Sequence, residues 1–135
     1  MKLSDSKYCK WCDTTPETIL HLYWQCPKSV ELWEAIDKLF YTLYGIWTKG
    51  NTLLHLFGYK PEGEVKIPEI FYTVSSLTRH YIHMDKCKGG NRSKIGLENY
   101  IKSVRNIEWQ IATNINTLCN FYRRWDRLSE IPETE

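Results

Sequence analysis

The sequence predicts a mostly α-helical protein in which a small Cys-Cys-His-Cys zinc knuckle leads into a domain of about four helices, the last one long. Three observations carry that prediction. Four soft metal ligands crowd into the segment Cys9 to Cys26; apolar residues recur at steps of three and four over several long stretches; and Ser, Pro and Gly stand where those stretches begin and end. The boundaries fall at residues 1–28 for the knuckle and 29–135 for a helical domain packed against it.

The ligand spacing is C-x2-C-x8-H-x4-C, formed by Cys9, Cys12, His21 and Cys26. A Cys-x-x-Cys turn presents two sulfurs to one ion and a following short helix supplies the other pair, the tetrahedral set that zinc takes. Three cysteines and a histidine leave no open position, so one structural Zn2+ is expected and no metal-activated water. A redox pair would follow a buried strand, whereas a short polar leader precedes Cys9; a disulfide framework would accompany a secretory signal, and Met1 to Lys10 has no apolar core of one. The blandest alternative makes His21 a core histidine and the cysteines incidental. Cys87 and Cys119 are expected to be reduced, buried and small in role.

Along the chain, Thr14 with Glu17 fits a capping box and Pro16 suits a first helical turn, so a short helix is expected to carry His21, with Cys26 just past its end before Pro27. Ser29 reads as the N-cap of a second helix running to about Tyr44 before Gly45, with Val30, Trp33, Ile36, Phe40 and Leu43 on one face and Trp33 against the back of the knuckle. Residues 46–65 form a connector, helical turn or strand, that packs across the helices. Pro68 opens a third helix to about Lys88, stopped by Gly89-Gly90, with Phe71, Val74, Leu77, Tyr81 and Met84 inward. Ser93 caps the last run, Lys94 to about Leu128, on which Leu97, Ile101, Val104, Ile111, Ile115, Leu118, Tyr122 and Trp125 make a stripe interrupted by Glu108. That run is one long helix or two broken near Asn106.

Six Trp, nine Tyr and an aromatic share of 14% give a chain of 135 residues enough apolar material for a real core. No run reaches the length of a membrane span and no targeting segment stands out, so an intracellular protein without a membrane partner is expected. The formal charge of +2 falls to about +1 once three thiolates and an imidazole hold zinc, so nucleic-acid binding must rest on local patches.

Catalytic machinery is not apparent: no phosphate-binding loop, nucleophile elbow, His-Glu-x-x-His or acid cluster for magnesium occurs, and neither a catalytic residue nor a small-molecule substrate is expected. Basic clusters carry more. Lys86, Lys88, Arg92 and Lys94 flank two glycines without an acid among them, Arg123, Arg124 and Arg127 mark the end of the last helix, and Lys7, Lys10 and Trp11 interleave charge and ring beside the knuckle. Each is a candidate nucleic-acid contact, against the plainer reading of a solvated face. His80, His83 and Cys87 share one helix face and offer three ligands of a second metal site, against a plainer interfacial role.

The run C-K-W-C-x8-H-L-Y-W-Q-C-P-K-S-V-E-L-W resembles the Cys-Cys-His-Cys motif near the carboxyl end of the reverse transcriptase polyprotein of LINE-type non-LTR retrotransposons, which continues through a proline step to a helical tryptophan, here Cys26-Pro27 to Trp33. L-F-G-Y-K-P and R-H-Y-I-H-M-D-K-C-K are similar to stretches that follow the motif in elements of vertebrate type. The retroviral nucleocapsid knuckle does not match, since it spaces its second cysteine and histidine by four residues and needs glycines there. The resemblance implies an accessory domain that binds RNA, target DNA or both and supports target-primed reverse transcription, with the rest of the polyprotein as partner and a ribonucleoprotein in cytoplasm and nucleus as its setting. Two alternatives stand beside it: a scaffold module without nucleic-acid contact, and a degenerate restriction-like endonuclease echoed by Lys60-Pro61-Glu62.

Overall fold

Thr18 starts the helical chain: its hydroxyl accepts the backbone N–H of His21 at 3.0 Å, the bond of an N-cap. This computed structural model describes Cys9, Cys12, residues 18–46, Thr48 and residues 52–57, 66–88 and 93–129. The capping box expected at Thr14 and Glu17 lies outside them. From Thr18 the backbone widens into a π-helical turn at His21–Gln25 and then enters α1, Pro27–Tyr44. Proline at the first helical position lacks only an N–H that would have no partner there. Ser29, expected as the cap of α1, therefore sits inside it and donates its hydroxyl to the Leu22 carbonyl. Gly45 closes α1 in the left-handed region at φ 69, where a Cβ would strain the backbone.

The connector contains a short helix, α2, Thr52–Phe57, whose Leu54 and His55 are fully buried. Helix α3 runs Glu69–Lys88 after Pro68, and α4 runs Lys94–Asn114 with the Ser93 hydroxyl accepting from Gly96 at 2.9 Å, the expected cap. The long terminal pattern divides at residues 115–117 and not near Asn106, which lies within α4. Asn116 takes φ 58, a conformation asparagine tolerates better than most residues. Helix α5, Leu118–Trp125, follows, and a 3-10 turn, Asp126–Ser129, ends the described chain. The mostly helical class is as expected, and among the described residues no helix is long and apolar enough to cross a membrane.

One core joins these elements. Leu32, Trp33, Ile36 and Phe40 of α1 meet Ile70, Phe71, Val74 and Ile82 of α3, Leu97, Ile101 and Ala112 of α4, and Phe121, Trp125 and Leu128 at the end of the chain. Several expected core positions are displaced. Val30 lies outward, and Leu77, Tyr81 and Met84 are only half-buried because the buried stripe of α3 runs through Ser75 and Thr78 to Ile82. Thr78 makes that possible by donating its hydroxyl to Val74 O at 2.9 Å. Ile111 is exposed because Ala112 takes the inward position of that turn of α4, and Ile115 and Tyr122 are exposed where the break at 115–117 re-aims α5 so that Phe121 faces inward with Trp125. Cys87 and Cys119, expected to be buried, are exposed thiols.

A buried polar knot ties α1 to α2. Asp37 accepts from Thr48 Oγ1 at 2.5 Å and contacts His55 Nε2 at 2.7 Å, while Arg79 of α3 donates to the His55 carbonyl at 2.5 Å. Removing the carboxylate leaves two donors without their acceptor in a dry setting. Asp37→Ala should therefore lower stability by about 3 kcal/mol, read from urea unfolding. A loss below about 1 kcal/mol would show that the knot contributes little.

At the far end of α1, Tyr44 donates its hydroxyl to Asp126 Oδ2 at 2.9 Å, and the Arg127 guanidinium lies 4.9 Å from the Tyr44 ring centre. Burial first, then that hydrogen bond, push the Tyr44 phenol from 10.0 up to about 12. A value raised in the folded state means the phenol's contribution is complete below pH 10.0 and is lost as pH climbs toward about 12. Tyr44→Phe should therefore flatten the alkaline decline in stability over that window and remove a late phenolate from the absorbance titration; superimposable profiles would contradict the assignment.

Candidate metal centre

Four side chains converge at the start of the helical chain. The Sγ atoms of Cys9, Cys12 and Cys26 and a ring nitrogen of His21 all lie within 4.8 Å of one another, close enough to share one metal ion. Cys9 Sγ and Cys26 Sγ are 3.8 Å apart, and Cys12 Sγ is 3.3 Å from His21 Nε2. Cys9, His21 and Cys26 are buried and Cys12 is half-buried, so the cluster is sheltered on the side of the helices and opens toward Cys12. All the cysteines are thiols; none is paired in a disulfide.

The π turn is what brings the last two ligands together. Five residues along an ordinary α-helix rotate a side chain about 140° away from its starting direction. Here the Cys26 N–H reaches back five residues to the His21 carbonyl at 2.7 Å, widening the turn so that His21 and Cys26 face the same point. Thr18 holds the other end through its bond to the His21 N–H. Behind the turn, the Trp33 indole donates to the Tyr23 carbonyl at 2.6 Å and packs against Trp24 at 5.9 Å, so α1 backs the cluster through Trp33 as expected. His55 lies 5.1 Å from Trp24 and 4.9 Å from Trp33. Sequence pattern assigns no place to Trp24 or His55. The run H-L-Y-W-Q-C does carry a signal, two aromatic rings between the last two ligands.

Among the described residues this is the one group of three or more His, Cys, Asp or Glu side chains brought so close. His83 Nε2 and Cys87 Sγ are 3.8 Å apart on the surface of α3, and His83 Nδ1 is 3.4 Å from the Tyr23 hydroxyl, whereas His80 stacks toward Tyr100 at 6.1 Å. The expected alternative of a second metal site is thus reduced to an interfacial pair, the role of touching the knuckle from α3.

The basic residues are dispersed. Lys7, Lys10, Trp11 and Arg92 lie outside the described residues, as does Lys60-Pro61-Glu62, and Lys88 closes α3. Lys86 is half-buried and Lys94 exposed. Arg124 is bound to Glu108 at 2.9 Å, and Arg127 donates to the Leu43 carbonyl, so both help fasten the chain end; Arg123 is exposed. The resulting geometry makes one cluster, among the described residues, that could hold a metal ion. No family model, curated protein or solved structure matches the chain.

Cys12 is the ligand best suited to test the site, because its half-buried position spares the core. Cys12→Ser should lose stoichiometric metal, read by elemental analysis of purified protein, and lose helical signal near the knuckle. Retention of one ion per chain would remove Cys12 from the ligand set.

Proposed function

We propose that this chain is a non-catalytic, zinc-stapled helical domain that binds nucleic acid. The observation that carries the metal part is the closed donor set. A zinc ion with Zn–S of about 2.3 Å spans tetrahedral sulfurs about 3.8 Å apart, and Cys9 and Cys26 stand at 3.8 Å. Three soft thiolates with one imidazole favour zinc over the harder cations, and a filled tetrahedron confers structure and no hydrolytic water. When bound, the ion joins the Cys9 and Cys12 segment to the π turn and, through Cys26, to α1.

The nucleic-acid part rests on the resemblance to the LINE-type polyprotein and on the cations near the α3–α4 junction. In that setting the domain holds element RNA, target DNA or both while an upstream polymerase performs target-primed reverse transcription. A second reading, a protein-interaction module, is favoured by a different feature: Ile107, Ile111 and Ile115 form an exposed aliphatic row at four-residue steps on and just past α4.

Binding of the zinc-loaded protein to single-stranded RNA, structured RNA and duplex DNA across a salt series separates the two. The expected result is retention of one or more of these nucleic acids at low salt, with log affinity falling linearly in log salt. Changing Lys86, Lys88, Arg92 and Lys94 together to Ala should reduce that slope by about 0.7 for each single-strand phosphate no longer neutralised. No binding to any of them at low salt would favour the interaction module, and an unchanged slope in a folded variant would exclude this junction as the binding surface.

A further inference from the structure

Between α4 and the end of the chain lies an open cleft of about 230 Å³, lined by Arg105, Asn106, Trp109, Phe121, Tyr122 and Ser129. Three properties distinguish it from an ordinary surface groove. Its rings are presented and not packed away: Trp109 is 42% exposed and Tyr122 48% exposed. Phe121, itself buried, sets its ring 5.2 Å from that of Tyr122 at 82°, so an anchored ring braces an exposed one. Arg105 also lines the cleft, and its Nε and Nη2 are only weakly held.

That guanidinium is poorly served from within. Among the described residues its Nε and Nη2 reach Asn106 Oδ1 alone, at the long separations of 3.4 and 3.3 Å. The nearby acids of α4 are engaged elsewhere, Glu98 by Lys102 and Glu108 by Arg124 and Trp125. Such long contacts leave donor capacity on Nε and Nη2 that a ligand oxygen would take up. Exposed rings beside such a donor match a flat π-face with a carbonyl or phosphate oxygen at its edge. The volume is below the roughly 300 Å³ at which drug-sized sites begin, which suits one ring system. A duplex keeps its base faces stacked, so only an unpaired base can enter.

We infer that this cleft is a stacking slot for one unpaired base of a single-stranded nucleic acid, with Trp109 and Tyr122 holding the base and Arg105 donating to its carbonyl or adjoining phosphate oxygen. The inference rests on the nucleic-acid reading above and adds its binding surface. It also places that surface on α4 and α5, away from the α3–α4 junction.

The test uses the full zinc-loaded chain with a short fluorescent oligouridylate, the matching oligothymidylate, a duplex of equal length and inorganic phosphate. Trp109→Ala and Tyr122→Ala alter exposed rings and should leave the fold intact, checked by circular dichroism. Each should weaken single-strand binding about tenfold or more without altering its salt slope, and should leave duplex binding unchanged. Arg105→Gln should weaken binding and lower the slope by about 0.7. A preference between uridylate and thymidylate shows whether the slot favours the ribose, uracil-bearing strand or the deoxyribose, thymine-bearing one, either result supporting it. Unchanged single-strand affinity in folded Trp109→Ala overturns the slot while leaving the nucleic-acid reading in place; no binding of any oligonucleotide by the unaltered protein overturns both. Full competition by inorganic phosphate would reduce the cleft to a plain anion site and likewise overturn the slot.

Discussion

Cys26 is the residue on which the rest of the structure depends. Its side chain closes the four-ligand cluster, its N–H completes the π turn by bonding His21 O at 2.7 Å, and its carbonyl accepts the Val30 N–H at 2.9 Å in the first turn of α1. The Cys-Cys-His-Cys cluster and the helix therefore share one fully buried residue. The next residue, Pro27, adds a constraint of its own. Without an N–H it offers nothing to the carbonyls of the preceding turn. Ser29 answers at the Leu22 carbonyl and the Trp33 indole at the Tyr23 carbonyl, both from α1. The helix thus satisfies the backbone of the turn that aims the ligands, and the ligands fix where the helix begins.

From that junction, packing passes inward through rings. His55 of α2 lies 4.9 Å from Trp33, 5.1 Å from Trp24 and 5.4 Å from Phe71 of α3, and Phe71 in turn stands 4.9 Å from Phe40 of α1. A histidine in such a place needs its ring nitrogens served, and Asp37 supplies the partner from one turn beyond Trp33 on α1. The short α2 is held by this knot more than by its own six residues, which are too few for an isolated helix to persist. The Cys-Cys-His-Cys turn, through Trp24 and Trp33, and the polar knot, through His55, consequently meet in the same aromatic cluster.

How much of this is legible in the sequence depends on the kind of interaction involved. The four ligands, the helical class, the Ser93 cap, the Gly45 stop and the position of Trp33 follow from local spacing and residue type, and those are properties a linear chain displays. Ser29 looks like a cap and is not one, because proline at the first helical position meets the same need and leaves the serine to serve a carbonyl seven residues back. The inward face of α3 escapes the pattern because Ser75 and Thr78 are buried, and a periodicity counted only in apolar residues skips them. On the terminal run, alternating steps of three and four continue unbroken through a point where Asn116 reverses the backbone. The pattern puts Ile111 and Ile115 in the core, whereas α4 buries Ala112 in place of Ile111, and past Ile115 a left-handed residue turns the next helix so that Phe121 faces inward. The polar knot is hidden for a simpler reason: Asp37, Thr48 and His55 are far apart in sequence, and only tertiary packing brings them together.

Charge follows the same logic. A formal charge of +2 describes the chain and not its surface, because folding removes acids from the field unevenly. Asp37 is consumed in the core, Glu98 by Lys102, Glu108 by Arg124 and the Trp125 indole, and Asp126 by Tyr44. Each of these carboxylates makes a bond that fastens one element to another or braces a helix. At the α4–α5 end, Arg123 is exposed, and among the described residues the buried Nη1 of Arg105 makes no hydrogen bond. How charge is spread over this end is therefore set by which carboxylates the helix ties engage, and composition alone does not show it.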